Sequence, residues 1–201
     1  MIKNIIFDFG DIFINLDKKL FAKELEKLGI SPLDKKWKPI LDDYEMGLIT
    51  TDKFLNYFEE KLSISKETLK TAWTSILLDF PEERLRFIQQ LSKEKKYRLF
   101  LLSNTNDMHI SWIQNNWGIE LYTKFKNCFQ QFYLTHQINL KKPNTNIYQF
   151  VLKENNLNAK ETLFIDDTKE NTDAAKTLGI HIWNLIPGKE DVTDLKTKNL
   201  L

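Results

Sequence analysis

Four places in this chain put a chemically capable side chain at or near the end of an apolar run. Asp8 closes Ile5-Ile6-Phe7 within KNIIFDFGD, Ser103 follows the run in YRLFLLSNTN, and Asp166 and Asp167 follow the run in TLFIDDTKEN. Lys142 stands in LKKPNTNIY, beside a proline that opens a helical pattern. A continuous apolar run reads as a buried parallel strand, and the carboxyl ends of such strands are where open α/β sheets take up ligands. Taken alone, Asp8 could simply end its strand and cap the next turn. Taken together, the residues suit another chemistry. Facing carboxylates repel one another unless a cation stands between them. Magnesium, a hard ion satisfied by a few carboxylates, waters and a phosphate, would serve. A lysine and a serine hydroxyl would neutralise phosphate oxygens, and a carboxylate can attack phosphorus to form an aspartyl-phosphate. These are the parts of a phosphoryl-transfer site. Each part also has a plain structural reading: Ser103 and the acidic pair as helix caps, and Lys142 as a solvated loop lysine, with Lys141 equally placed.

The elements that must position these residues are legible as strands alternating with helices. Apolar runs at Ile5–Phe7, Tyr97–Asn104, Cys128–Leu134, Thr162–Asp167 and Ile180–Ile186 read as strands. Leu85, Ile88 and Leu91, and the pairs Ile147/Val151 and Tyr148/Leu152, recur at helical spacing, and Gly179 closes a helix after Lys176-Thr177-Leu178. Alternation of this kind implies right-handed crossovers and a parallel sheet. The expected fold is α/β, a Rossmann-like doubly wound parallel sheet. If it is wound about the first strand, the ends of the first, second and fourth runs converge on one crevice.

The segment from Asp17 to Leu78 is different, with helical patterns and no strand-like run. Leu20, Phe21, Leu25 and Leu28 form one face closed by Gly29; Ser31-Pro32 reads as the start of a new helix; Phe54, Leu55, Phe58 and Leu62 form a further face. A simple crossover takes roughly a dozen residues, so the expectation is a helical domain over 17–79 inserted into an α/β core made of 1–16 and 80–201. Trp37, Tyr44, Phe54 and Trp73 are expected in the core of that insert rather than in a substrate pocket.

A formal net charge of +1 gives no reason to expect nucleic acid or an anionic membrane as partner, and no apolar stretch approaches the roughly 20 residues that span a bilayer. Met1-Ile-Lys-Asn leads straight into the first run, so no signal peptide is expected. The single cysteine, Cys128, fits a reducing cytoplasm and is expected to pack. His109, His136 and His181 show no mutual spacing for a zinc site.

Four motifs in order, FDFG with Asp8, SNT with Ser103, KKP with Lys142 and DDTKEN with Asp166 and Asp167, resemble those of the haloacid dehalogenase superfamily over essentially the whole chain. The insert looks like the small helical cap of one subclass. Within the superfamily the motifs look most like the branch containing the bacterial α-D-glucose-1-phosphate phosphatase. The resemblance implies a Mg2+-dependent phosphatase acting on a small phosphorylated metabolite, a monomer or homodimer. It implies Asp8 as nucleophile and metal ligand, the Gly10 carbonyl and Asp167 as further ligands, and Asp166 supporting the metal shell. Ser103, with the backbone around Asn104 and Thr105, would hold phosphate oxygens, and Lys142 would balance the charge between phosphate and Asp8. Asn171 stands where many relatives carry another acid.

One position departs from the pattern. Many phosphatases of the superfamily carry a second aspartate two residues after the nucleophile, where this chain has Gly10. A missing general acid and base costs typically ~10²–10⁴ in rate. Asp11 could substitute, and a sugar 1-phosphate would need the acid less. The alternatives are a catalytically weak binding or scaffold protein and, less favoured, a 2-haloacid dehalogenase, which needs no metal and so leaves the acidic pair unexplained. A response-regulator receiver has its acidic pair after the first strand, the reverse of the order here.

Overall fold

The computed structural model describes residues 1–31 and 34–201. In chain order the elements are β1 (Asn4–Phe7), α1 (Lys18–Lys27), α2 (Lys38–Glu45), α3 (Thr51–Leu62), α4 (Lys66–Thr74), α5 (Glu82–Glu94) and β2 (Arg98–Ser103). Then come α6 (Asp107–Trp117), α7 (Ile119–Lys126), β3 (Gln131–Leu134), α8 (Thr135–Ile138), α9 (Thr145–Glu154), β4 (Thr162–Asp166), α10 (Lys169–Lys176) and β5 (His181–Asn184).

The five strands form one parallel sheet in the order β3-β2-β1-β4-β5. Strand β1 lies at the point where the chain changes direction across the sheet, flanked by β2 and β4, as the sequence led us to expect. Alternation of side chains along each strand divides the interior into two layers. Ile5, Phe7, Leu99, Leu101, Leu163 and Ile165 face one way, into a core completed by Ile88 and Leu91 of α5, Ile110 and Ile113 of α6, and Phe125 of α7. Ile6, Phe100, Leu102 and Phe164 face the other way, against Ile147, Tyr148 and Val151 of α9 and Ala175 of α10. Both faces of the sheet are therefore covered, which is why its strands read as unbroken apolar runs.

The runs outlast the strands. Cys128 and Phe129 are buried core residues, but the Phe129 amide still donates to Lys126 O at the end of α7, and the strand begins at Gln131. Their apolarity reflects packing, and Cys128 is a buried free thiol pushed up to about 11 by burial. The reading of Ser31-Pro32 as a helix start falls on residue 32, outside the described residues; the next helix begins at Lys38, with Pro39 in its first turn.

Helices α1–α4 pack around an apolar cluster of their own. Leu25, Ile30, Trp37, Tyr44, Phe54, Leu55, Phe58, Leu69 and Trp73 are buried together, joined by Met108 of α6. Tyr44 stacks on Phe54 at 4.2 Å between ring centroids, and Phe54 meets Trp73 edge-on at 4.8 Å. The four aromatics singled out in the sequence thus fill the interior of this helical unit. Two chain segments join it to the sheet as a short ribbon: Asp17 N donates to Ile76 O, Leu78 N to Asn15 O and Asn15 N to Asp79 O. No helix among the described residues is long and apolar enough to cross a membrane.

A second seam fastens α2 to α8. Gly47, just past α2, has φ +68°, and a Cβ there would lie 1.9 Å from the carbonyl oxygen of His136. Only glycine allows this approach. Gly47→Ala is expected to destabilise by at least ~2 kcal/mol, adding overpacking to backbone strain. Gly29 has φ +72° but open space around it, so Gly29→Ala should cost about 1 kcal/mol. Denaturant midpoints of the two variants check this, and equal losses would show that the seam yields freely.

Candidate active site

Each strand end delivers one part of the site. The sheet register pairs Phe7 of β1 with Ile165 of β4 and with Leu101 of β2. Asp8 and Asp166 therefore follow at neighbouring places on the carboxyl edge, and Ser103 ends the strand on the other side. The Asp8 amide donates to Ile165 O at 2.9 Å, fixing the backbone at that edge. Lys142 comes from the loop between α8 and α9. Its Nζ lies 2.8 Å from Asp8 Oδ1 and 2.6 Å from Asp166 Oδ2, with the side chain 1% exposed. The motifs named Lys142, with Lys141 equally placed in the plain structural reading; in the structure the Lys141 ammonium goes instead to Asp42 and Glu45 of α2.

Asp166 is fully engaged. Besides Lys142 it accepts from the Thr168 amide at 2.8 Å, and Asn171 Nδ2 lies 3.1 Å from each of its oxygens. Asn171 thus does what an acid at that position could not: it donates to a buried carboxylate instead of repelling it. Asn104 acts on the lysine. Its Oδ1 accepts from Lys142 N and its Nδ2 donates to Lys142 O, both at 3.0 Å, clamping the backbone that carries the ammonium. The Thr105 amide donates to Thr135 Oγ1 at 3.0 Å, so the turn after β2 is tied to the start of α8. Ser103 is 3% exposed.

Asp8, Asp166 and Asp167 each offer an oxygen within 4.8 Å of the others. Three carboxylates around one buried lysine leave the interior of the cluster short of positive charge. Burial pushes the Asp8 carboxyl up to about 7; Lys142 opposes that rise, while Asp166 and Asp167 add to it. Lys142 is itself held above its ordinary range: burial opposes the charge, but Asp166 and Asp8 outweigh it. The lysine is fully charged and still does not suffice. The cluster fits a divalent cation on charge and on donor type, since all its donors are hard oxygens.

A residue that sequence reading missed stands at the rim. Lys18, the first residue of α1, places Nζ 2.6 Å from Asp167 Oδ2 and 2.8 Å from Asp11 Oδ2. Nothing in Asp17-Lys18-Lys19 distinguishes it from its neighbour. Asp11 has φ +56° and also accepts from the Leu16 amide at 3.1 Å. Its carboxylate is thus committed to the turn and to Lys18, and it lies outside the three-carboxylate group. Gly10 has no positive φ, and a Cβ there would come within 2.7 Å of Leu16 Cδ1, the movable end of a side chain. Volume does not locate the chemistry: a cleft of about 860 Å³ between α4 and α6, bordered by Thr51, Lys70, Thr74, Asp107 and Trp112, contains none of these carboxylates.

The fold and this constellation define a hydrolase of the haloacid dehalogenase type, and the chain belongs to the haloacid dehalogenase-like hydrolase family, whose model matches residues 5–184. Among characterised proteins it is similar to the D-ribitol-5-phosphate phosphatase of Bacteroides thetaiotaomicron, with 29% identity over 190 residues that cover 91% of each chain. Among solved structures it is similar to a haloacid dehalogenase family enzyme from Bacteroides thetaiotaomicron in a magnesium complex, with 33% identity, a TM-score of 0.82, and 98% of this chain and 99% of that one covered. A further structure of that enzyme, in complex with magnesium and inorganic phosphate, gives 32% identity, a TM-score of 0.79 and coverage of 94% and 97%.

A raised carboxyl pKa in the folded state has a definite sign. The fold favours neutral Asp8, so its contribution to stability is fully present below the ordinary value of 3.8 and is lost as pH rises through about 7. Asp8→Asn removes the charge, and in chelator it should raise the melting temperature more at pH 8 than at pH 5. Thermal melts at the two pH values check this. An equal gain at both would mean that Asp8 does not carry the excess charge.

Proposed function

We propose that this hydrolase is a magnesium-dependent phosphatase acting on a small phosphomonoester through an aspartyl-phosphate on Asp8. The observation that carries the reading is the buried Lys142 ammonium between Asp8 and Asp166, with Asp167 alongside and too little positive charge for all three acids. In this reading residues 1–16 and 80–201 are the catalytic core, and residues 17–79 are a cap over the carboxyl edge of the sheet. The carboxylates of Asp8 and Asp167, with the Gly10 carbonyl, would hold the cation. Asp166, saturated by Lys142, Asn171 and the Thr168 amide, supports them and fixes the lysine. Bound magnesium would neutralise phosphate oxygens and lower the repulsion between the substrate and Asp8.

The steps assigned to the chain follow from its charges. Ser103, the Asn104 backbone and the Lys142 ammonium bind and orient the phosphoryl oxygens; the Thr105 amide, expected to join them, is instead committed to Thr135 Oγ1. An Asp8 oxygen attacks phosphorus and the ester oxygen leaves with its electron pair, taking a proton from solvent. Water then attacks the same phosphorus, Asp8 is released as carboxylate and inorganic phosphate departs. Lys142 holds its proton throughout, since its role is charge balance. Gly10 offers no acid to the leaving oxygen, and Asp11 is committed to Lys18, so esters with less basic leaving groups should be favoured.

For the substrate we propose a sugar or polyol phosphate. The ribitol-5-phosphate phosphatase relative supports a polyol phosphate. Glucose 1-phosphate, suggested by the motifs, has the less basic leaving group. A panel holding both, run with magnesium and with excess chelator, tests the reading. Turnover is expected only with the metal, and Asp8→Asn should reduce it to background. Undiminished turnover in chelator, or in Asp8→Asn, would overturn the assignment.

A further inference from the structure

Lys141 and Lys142 are consecutive, and each ammonium bridges two carboxylates, but in different parts of the molecule. Lys142 joins Asp8 to Asp166 inside the sheet edge. Lys141 Nζ lies 2.9 Å from Asp42 Oδ1 and 2.5 Å from Glu45 Oε2, both on α2, and its side chain is 16% exposed. Two more contacts close the same seam: Asn139 Nδ2 donates to Met46 O at 2.8 Å, and Gly47 lies against the His136 carbonyl. The loop that brings Lys142 to the site is therefore bound to the helical unit immediately before the lysine.

We infer that Lys141 is a positioning residue that seats α2, and with it the helical cap, on the loop carrying Lys142, and so sets the affinity for the part of the substrate beyond its phosphate. This rests on the phosphatase reading above. A charge-assisted, partly buried bridge to two carboxylates is worth more than an exposed surface pair. The backbone of Lys142 is held separately by both ends of the Asn104 amide. Loss of the Lys141 ammonium should therefore loosen the cap and leave Lys142 on Asp8 and Asp166. The consequence is a split. Inorganic phosphate, which needs only the core, should bind as before, while a sugar or polyol phosphate should bind more weakly.

The test compares wild type, Lys141→Met, Lys141→Arg and the double variant Asp42→Asn/Glu45→Gln in the full chain. In Lys141→Met, hydrogen exchange of the α2 amides (Lys38–Glu45) should quicken. KM for the sugar or polyol phosphate should rise roughly tenfold, while kcat and the inhibition constant of inorganic phosphate stay within about threefold. Lys141→Arg should restore both exchange and KM. Lys141→Met added to the double variant should change little further, because both substitutions remove one interaction. Unchanged exchange and KM in Lys141→Met would overturn the inference even with phosphatase activity intact. So would a loss of kcat equal to the rise in KM, which would place Lys141 in the chemistry. A wild type without phosphatase activity would instead overturn the functional reading and the affinity part of this inference, and the exchange data would still decide whether Lys141 seats α2.

Discussion

The structure depends on one buried cation. The Lys142 ammonium, 1% exposed, lies between Asp8 and Asp166 at the carboxyl edge of the central strands. Taking a lysine and two carboxylates out of water costs several kcal/mol per ion unless each is paired and hydrogen-bonded. The neighbouring residues meet that requirement. Thr168 and Asn171 complete Asp166, Asn104 clamps the Lys142 backbone, and the lysine also lies 5.5 Å from the centre of the Phe164 ring. A hydrophobic replacement of the same volume would make a more comfortable interior. A costly ionic group held so thoroughly is what an electrostatic site requires, because donors fixed in advance need no reorganisation when charge develops.

The charge is deliberately incomplete. With Asp167 beside the pair, the acids outnumber the buried lysine, and Asp8 holds its proton to higher pH, chiefly because it is buried and then because Asp166 and Asp167 stand near it. Lys18 partly offsets this from the rim by binding Asp167 and Asp11. A divalent cation among these oxygens would relieve the deficit. The same deficit explains why Asn171 serves well as an amide: another acid there would deepen the deficit next to a carboxylate with no exposure. Around this centre the helical unit is also joined to α6. His109, neutral because burial pushes it down to about 4, donates from Nε2 to Trp73 O of α4, and the Met108 amide donates to Tyr44 OH.

How much of this could be read in the chain follows from what each feature depends on. The parallel sheet and its winding about β1 were legible, because a strand buried on both faces leaves an unbroken apolar run, and a carboxylate at its end stands out. The helical character of the stretch between β1 and α5 was legible because helical spacing persists there without a strand-like run. The acidic pair and the two lysines were legible as residue types, but the choice of Lys142 over Lys141 depends on where a loop backbone is clamped by Asn104, a contact between residues 38 positions apart. Lys18 was invisible because its partner Asp167 lies 149 residues away and nothing local marks it. The Ser31-Pro32 capping pattern falls on residue 32, outside the described residues, and the helix that follows starts at Lys38. Helices α6 and α7 left a weak local signal because Trp117 and Phe125 pack among other aromatic rings instead of forming a clean apolar stripe.

The central claim is that the carboxylate held by Lys142 is the group that accepts phosphorus. It is tested most directly by quenching the enzyme in acid during turnover, reducing with borohydride, and mapping the modified residue by mass spectrometry. An acyl phosphate is reduced to an alcohol, so the account predicts a reduced side chain at Asp8 that depends on both substrate and magnesium. Turnover with Asp8 unmodified, or with the label on Asp166 or Asp167, would contradict it.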